Sequence, residues 1–193
     1  MKCIAEVGPG GRDLIGIPSP MRRLDYKELA IYPEGLLPCD VMVDFQRNCP
    51  SVPIVRANIY RAPEFVSKVT AAAGPVDILG IFNVTNDPEG EEYRHNRGPF
   101  AESVKGVLPE GGMVFVSEQY SYLKDDHIRM IRADLTRAGF QIINYMDDLW
   151  RSMATMGLRN TDGMYLRIMS ILRSEEYSFD RFAIARKVTP STK

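Results

Sequence analysis

Short apolar runs separated by turn residues recur along the whole chain. In most of them the apolar residues are contiguous rather than alternating, which is typical of parallel strands covered on both faces. These runs predict seven strands, in chain order Cys3–Val7, Asp40–Phe45, Pro53–Ala57, Val76–Phe82, Gly112–Ser117, Phe140–Tyr145 and Arg181–Lys187.

Between the later strands, apolar residues recur at the spacing of one helix face. This spacing predicts helices over Ala62–Ala73, Phe100–Leu108 and Asp125–Ala138. Within the last of these, the spacing of Ile128 and Leu135 is that of one apolar helix face. The alternation of strand and helix predicts an α/β fold, in which helices cover both faces of a mostly parallel sheet.

The N-terminal third of the chain is less regular. Four prolines between residues 14 and 38 make a long helix after the first strand unfavourable, although Met21–Ile31 has room for a short one. The predicted second and third strands are close together in sequence, which leaves no space for a full helix between them. We therefore expect a sheet that is trimmed and irregular between strands 1 and 3.

The length of 193 residues suits one domain, which we place over residues 1–193. Residues 147–179 are long for a connection between two strands and carry several methionines and aromatic residues, among them Trp150, Met153 and Tyr165. Apolar residues in such a connection either join the core or form a contact surface. We interpret this segment as a lid or an acceptor-side insertion.

Charge and composition narrow the classes of function. The formal net charge is -1, so the basic excess of a typical nucleic-acid-binding protein is missing and nucleic acid is unsupported as a partner. Three cysteines without a C-x-x-C pair and two histidines predict no metal site. No apolar segment has the length of a signal sequence or a membrane span, which predicts a soluble cytoplasmic protein.

A glycine-rich turn follows the first predicted strand, in the sequence "AEVGPGGRD". Glycine permits positive φ and a close approach of the backbone to a ligand. In a parallel sheet this turn lies at the carboxyl edge, where ligands bind. Asp13 stands where the dinucleotide fingerprint G-x-G-x-x-G needs its third glycine, and no Gly-Lys-Ser/Thr follows, so neither the dinucleotide motif nor a P-loop is present.

The motifs downstream resemble the class I S-adenosylmethionine-dependent methyltransferases. "AEVGPGGRD" is similar to the first motif of that family, "VMVDF" to its second strand ending in an acid, and "VPIVRAN" to its third strand. "VDILGIFNV" resembles the fourth strand and its exit. The most specific match is "FAESVKGVLPEGGMVFVSE", a helix, a Leu-Pro-x-Gly-Gly turn and the fifth strand. "LTRAGFQIINY" and "FAIARK" resemble the last two strands, of which the seventh is antiparallel.

The resemblance implies a Rossmann-like sheet of seven strands and S-adenosylmethionine as the cofactor. Its cofactor-binding residues would be, by position, Glu6, Gly8, Pro9 and Gly10 in the first motif, Asp44 on the ribose hydroxyls, Asn58 and Ile59 at the adenine, and Phe82 and Asn83 nearest the methyl group. Asp25 in "RRLDYK" competes with Asp44 for the ribose. We prefer Asp44, because an apolar run precedes it.

Few residues suggest themselves for catalysis. His95 follows the fourth strand, and its imidazole can take a proton near neutral pH. Asn83 and Tyr120 are the other candidates for contact with the acceptor. His127, by contrast, is expected on the exposed start of a helix.

Three functions remain open at this stage. The first is an enzyme that transfers a methyl group to a small molecule or a protein, with the acceptor and the oligomeric state undetermined. The second is a non-catalytic, methyltransferase-like binding module. The third is a dinucleotide oxidoreductase, which Asp13 in place of the third glycine disfavours.

Overall fold

The computed structural model describes residues 2–8, 26–34, 40–82, 91–117, 124–157, 168–170, 172–173, 176 and 178–189. Its strands are β1 Lys2–Val7, β2 Tyr26–Tyr32, β3 Ile54–Arg56, β4 Ile78–Phe82, β5 Met113–Ser117, β6 Phe140–Ile142 and β7 Phe182–Lys187. Its helices include α1 Asp40–Asn48, α2 Ala62–Ala73, α3 Glu91–His95, α4 Arg97–Val107, α5 Lys124–Arg137 and α6 Met146–Thr155. A short 3₁₀ helix, Phe179–Arg181, leads into β7.

Within the described residues the strands form one seven-stranded sheet in the order β3-β2-β1-β4-β5-β7-β6. The pairs among β1 to β5 are all parallel. β7 lies between β5 and β6 and is antiparallel to both. The predicted fold, a mostly parallel Rossmann-like sheet with an antiparallel last strand, is confirmed.

The larger core lies on the face of the sheet that α2, α4 and α5 cover, which we call the first face. Strand residues that alternate along the chain point to this face, among them Ala5 and Val7 of β1. They pack against helix residues such as Phe65, Val104 and Leu135. Because β1 is buried on both faces, its apolar residues are contiguous in sequence.

The opposite face, which we call the second face, is covered by α1 and α6. Leu149 and Met153 of α6 pack against a cluster that includes Ile4 of β1 and Ile78 of β4. α1 covers β2 through a separate small cluster. Helix α6 therefore belongs to the core of the sheet, although the sequence pattern assigned its residues to a lid. In the described part of the chain, no helix has the length and apolarity needed to cross a membrane.

Most predicted elements lie where the sequence pattern indicated. Helix α2 has the predicted bounds, and α4 and α5 differ from their predictions by a few residues at the ends. The second strand is the main error. Asp40–Phe45 is not a strand but most of helix α1, so the segment between strands 2 and 3 holds a helix where none was expected. The true second strand, Tyr26–Tyr32, overlaps the short helix predicted over Met21–Ile31.

The physical reason is visible in the packing of α1. Met42, Phe45 and Cys49 have the spacing i, i+3, i+7 of a helix face, and all three pack against Ala30 and Tyr32 of β2. The three apolar residues Val41 to Val43 had suggested a strand, but Val43 is 40% exposed. A short apolar run does not by itself distinguish a strand from a helix.

A buried carboxylate joins α3, α4 and α5 on the first face. Asp134 of α5 is 4% exposed, accepts a hydrogen bond from the Tyr93 hydroxyl at 2.8 Å, and accepts two from the Arg97 guanidinium at 2.7 and 2.8 Å. Burial alone would raise the pKa of Asp134, but the hydrogen bonds from Arg97 and Tyr93 outweigh it, so the pKa is lowered. Burial raises the pKa of Tyr93, which keeps its hydroxyl a donor.

His127 lies beside this group and not on the exposed start of α5, contrary to expectation. It is 0% exposed, and its ring centroid is 6.1 Å from that of Tyr93. The reason is its position one helical turn before Ile131, a core residue of the same helix.

We predict that Gly106→Ala destabilises the protein, because α2 and α4 are in close contact at this glycine. A Cβ at position 106 would lie 2.5 Å from Cγ2 of Val66, a stiff β-branched side chain, whereas a Cβ at Gly98 in the same helix would meet nothing within 4 Å. Urea unfolding should show Gly106→Ala to be less stable than Gly98→Ala by about 1–3 kcal/mol. Equal stabilities would contradict this packing.

We also predict that Asp134→Asn lowers the free energy of unfolding by about 1–3 kcal/mol, because it removes a buried carboxylate that accepts hydrogen bonds from Tyr93 and Arg97. A lowered folded-state pKa means that the carboxylate contributes stability above its unfolded pKa of about 4 and loses it as the pH falls further. The wild-type free energy of unfolding should therefore decrease below about pH 4 more steeply than that of Asp134→Asn.

The control for this second prediction is Asp126→Asn. Asp126 forms an exposed ion pair with Arg129 in the same helix, with side-chain exposures of 57% and 75%. Its loss should change the free energy of unfolding by less than about 1 kcal/mol. An effect of the same size at both positions would show that the burial of Asp134 does not account for its contribution to the free energy of unfolding.

Candidate functional site

The order of the strands defines where a ligand would bind. Along the sheet the chain runs from β1 outward to β2 and β3 on one side, and to β4 and β5 on the other. The carboxyl ends of β1 and β4 are therefore the switch point of the sheet, and open α/β sheets bind ligands in the space beyond such a point, which we call the crevice. Gly8 follows β1 at this edge, and Phe82 ends β4 there.

Glu6 lies within β1, two residues before this turn, and is 0% exposed. It is on the second face, and its direct neighbours in the sheet are Ala30 of β2 and Gly80 of β4. Because both neighbours are small, they leave room for the carboxyl group on this face of the sheet. The acid predicted from the first motif is thus an interior residue of the central strand.

Gly8 begins the turn with a φ of 70°, in the left-handed region that favours glycine. Its N–H donates to the carbonyl of Ile31 at 2.9 Å, so the turn leaves the sheet from a fixed point on β2. Pro9 and Gly10 lie outside the described residues. Glu6 and Gly8 are therefore brought together at the switch point, as the first motif implied.

The acid beyond the true second strand is Glu34, which sequence reasoning missed. Its carboxylate forms an ion pair with Lys68 of α2, and one of its oxygens lies 4.0 Å from a guanidinium nitrogen of Arg61. Its side chain is 27% exposed. The signal was present in "LAIYPEG", an apolar run followed closely by an acid.

Asp44, predicted as the ribose-binding acid at the end of the second strand, lies inside helix α1. The premise of that prediction was the strand placement, which is wrong. Its competitor, Asp25, lies outside the described residues.

Asn58 follows β3, as predicted, and is half-buried. Its Oδ1 accepts a hydrogen bond from the backbone N–H of Tyr60 at 2.9 Å, which stabilises the turn ahead of α2. Ile59, predicted to border the adenine, is 2% exposed and packs in the main core, and its carbonyl accepts a bond from the Ser103 hydroxyl at 2.6 Å. In this structure the Ile59 side chain does not reach the crevice.

The remaining predicted residues are only partly described. His95 is the last residue of α3 and its side chain is exposed. Phe82 ends β4, but its side chain is not among the described atoms. Asn83 and Tyr120 lie outside the described residues.

One polar residue at this edge was not predicted. Ser117 ends β5, between Phe82 of β4 and Phe182 of β7. Its hydroxyl is buried and has no hydrogen-bond partner within the described part of the chain. A buried hydroxyl without a partner is uncommon in proteins, so this one is a candidate contact for a ligand atom.

The sequence matches no known protein family profile, and no curated protein matches it. Solved structures do share its fold. A methyltransferase from Pyrococcus furiosus is 14% identical with a TM-score of 0.53, over 75% of this chain and 67% of the other. A short-chain dehydrogenase from Oenococcus oeni is 10% identical with a TM-score of 0.51, over 91% of both chains. TrmN from Thermus thermophilus is 15% identical with a TM-score of 0.48 over 74% of this chain, which spans 38% of TrmN.

At these identities the comparisons show the fold alone. The dehydrogenase and the methyltransferase share a Rossmann-like α/β architecture with this chain, so the architecture by itself does not separate the two classes of enzyme. The distinction depends on the residues at the switch point and on the direction of β7.

We predict that Gly8→Ala destabilises the protein by about 1–2 kcal/mol, because a φ of 70° brings a Cβ too close to the backbone. Urea unfolding measures the difference, with Gly98→Ala as the control for the same substitution where φ is not positive. If both variants had the stability of the wild type, the turn after β1 would not require glycine.

Proposed function

We propose that this chain is an S-adenosylmethionine-dependent methyltransferase. The observation that carries the proposal is the sheet order β3-β2-β1-β4-β5-β7-β6 with an antiparallel β7, combined with a Glu-x-Gly turn at the switch point. The first is the arrangement that the sequence resemblance implied. The second supports the proposal, because an acid and a glycine of positive φ lie at the switch point, where open α/β sheets bind ligands.

The described residues fit this cofactor. Gly8 lets the backbone come close to the methionine part, and Glu6, fixed inside β1, would organise the loop that follows. For the ribose we propose Glu34 instead of Asp44, since it is the acid that follows the true second strand and a carboxylate accepts bonds from both hydroxyls. Asn58 keeps its proposed place near the adenine. Pro9, Gly10, Phe82 and Asn83 stay in the proposed set.

Glu34 can exchange one of its present partners for the ribose hydroxyls. Its present partners, Lys68 and Arg61, are 39% and 66% exposed, and exposed ion pairs contribute little to stability. Ribose hydroxyls can therefore take the place of one cationic contact at small cost.

When bound, the cofactor supplies an already activated methyl group. The chain therefore has to hold the acceptor in line with that group and to exclude water, and needs a base only when the acceptor must lose a proton. For that role we propose His95, with Asn83 and Tyr120 as further acceptor contacts. The acceptor is a small molecule or a protein, and the acceptor side of the site is proposed within residues 147–179, outside helix α6.

The second candidate function is a binding module that takes the cofactor without transferring its methyl group. It is favoured by the exposed, unpositioned imidazole of His95, which lies at the end of a five-residue helix. An oxidoreductase using a dinucleotide shares the architecture but lacks its third glycine at Asp13.

The test is a calorimetric titration of the purified chain with S-adenosylmethionine, S-adenosylhomocysteine and NAD. We expect the first two to bind and NAD not to bind. Glu34→Gln should weaken binding by tenfold or more, because a charged acceptor of the ribose hydroxyls is lost, which corresponds to about 1.5 kcal/mol or more. Asp44→Asn, the matched control, should bind within twofold of the wild type.

Each outcome separates the alternatives. Binding of NAD alone would favour the oxidoreductase, and no binding of either sulfur compound would refute the proposal. Cofactor binding without turnover across amine, hydroxyl and thiol acceptors would favour the binding module. If Asp44→Asn lost affinity and Glu34→Gln kept it, Asp44 would be the ribose ligand after all.

A further inference from the structure

A cleft lined by three arginines opens beside the beginning of β7. Its volume is about 390 Å³, and its lining consists of Arg129, Arg132, Ser178, Asp180 and Arg181. We call it the arginine cleft. It has the size of a small-molecule site.

Arg132 is held in place by neutral oxygens. Its guanidinium donates to the carbonyls of Phe179 and Phe182, at 2.8 and 3.1 Å, and to Oδ1 of Asn144. Among the described residues, none of these partners carries a charge. Within the described residues, the fold therefore orients the Arg132 guanidinium through neutral oxygens and pairs its positive charge with no carboxylate, whereas Arg97 is paired with the Asp134 carboxylate.

The rest of the lining adds to this charge. Arg129 lies one turn before Arg132 in α5, where its side chain is 75% exposed and forms an ion pair with Asp126. Arg181 is exposed at the end of the 3₁₀ helix. Among the described residues, Asp180 is the carboxylate that lines the cleft together with these arginines. The positive charge of three guanidinium groups in one cleft favours an anion there. Guanidinium groups bind phosphates and carboxylates through paired hydrogen bonds.

The cleft is close to the crevice where methyl transfer would take place. Phe182, whose carbonyl holds Arg132, is paired with Ser117 at the end of β5, and Ser117 is paired with Phe82 at the end of β4. Two strand spacings therefore separate the end of β4 from the beginning of β7, which is about 10 Å. A small molecule can span this distance.

We propose that the arginine cleft binds an anionic group, a phosphate ester or a carboxylate, of a small acceptor molecule whose methylated atom lies at the end of β4. The proposal rests on the methyltransferase function for the role of the ligand, but the binding of an anion to the cleft can be tested without it.

The experiment is a calorimetric titration of the full chain with inorganic phosphate and with acetate at constant ionic strength, in the presence and absence of S-adenosylhomocysteine. The cleft variant is Arg129→Gln/Arg181→Gln, which keeps the structural Arg132. The matched control is Arg94→Gln/Arg151→Gln, two exposed helix arginines for which no ion pair is found within the described residues. Both variants remove the same charge.

We expect at least one anion to bind the wild type, tenfold or more weakly to the cleft variant, and within twofold of the wild type to the control. Preference for phosphate over acetate would identify a phosphate ester, and the reverse a carboxylate. Equal weakening in both variants, or no binding of either anion, would overturn the proposal. The proposal would also be overturned if a single-stranded oligonucleotide of ten nucleotides bound more than tenfold more tightly than phosphate, because the cleft would then be a nucleic-acid site.

S-adenosylhomocysteine separates this proposal from the proposed function. Both variants should bind it with wild-type affinity, and phosphate should bind together with it. Competition between phosphate and S-adenosylhomocysteine would show that the cofactor occupies the cleft, and would overturn its role in binding the acceptor. A wild type that binds phosphate in the cleft but not S-adenosylhomocysteine would refute the methyltransferase function while leaving the anion site established.

Discussion

The pairing of β1 with β2 on one side and β4 on the other is the constraint on which the candidate site depends. Val7 is in register with Ile31 and with Ile81, so the central strand ends level with both neighbours. The chain leaves β1 at Gly8, whose N–H is bonded to Ile31, and the crevice begins there. Beside Glu6 the neighbouring strands carry Ala30 and Gly80, whose small side chains leave space for its carboxyl group on the second face of the sheet.

Two kinds of charged group can be distinguished in the structure by their partners. Asp134 and Arg97 neutralise each other inside the protein, and their hydrogen bonds hold helices together. Arg132 and Glu34 lie at the carboxyl edge, the first held by neutral oxygens and the second by exposed cations. Groups of the second kind can accept a new partner without breaking the core, which is the property that a binding residue needs.

The sequence was sufficient for the parts of the fold where burial on both faces leaves only one interpretation. β1 and β5 are of this kind, because turn residues bound their short apolar runs, and α2 was predicted by its helical period of apolar residues over three turns. The prediction of the second strand failed because β2 carries Lys27 and Glu28 near its start, whereas α1 offered a more apolar run. Because of that single error the sequence analysis chose Asp44 for the ribose and did not consider Glu34, the acid that follows the true second strand. Most of the glycine loop and the segments after β4 and β5 lie outside the described residues, so the predictions for Pro9, Gly10, Asn83 and Tyr120 stay predictions.

The arginine cleft could not have been predicted from the sequence at all. Arg129 and Arg132 belong to a helix and Arg181 to a turn about fifty residues later, and no spacing connects them. They meet because the antiparallel β7 brings the residues before Phe182 to the carboxyl edge, beside α5.

The direction of β7 also decides how this protein can be joined to other molecules. β1 begins at the amino edge of the sheet, where the ammonium of Lys2 donates to the carbonyl of Met156. β7, because it runs against its neighbours, ends at that same edge, where the ammonium of Lys187 donates to the carbonyl of Leu108 at 2.7 Å. Lys2 and Lys187 therefore mark the side of the sheet opposite the crevice, so a surface held against this edge would leave the crevice and the arginine cleft open.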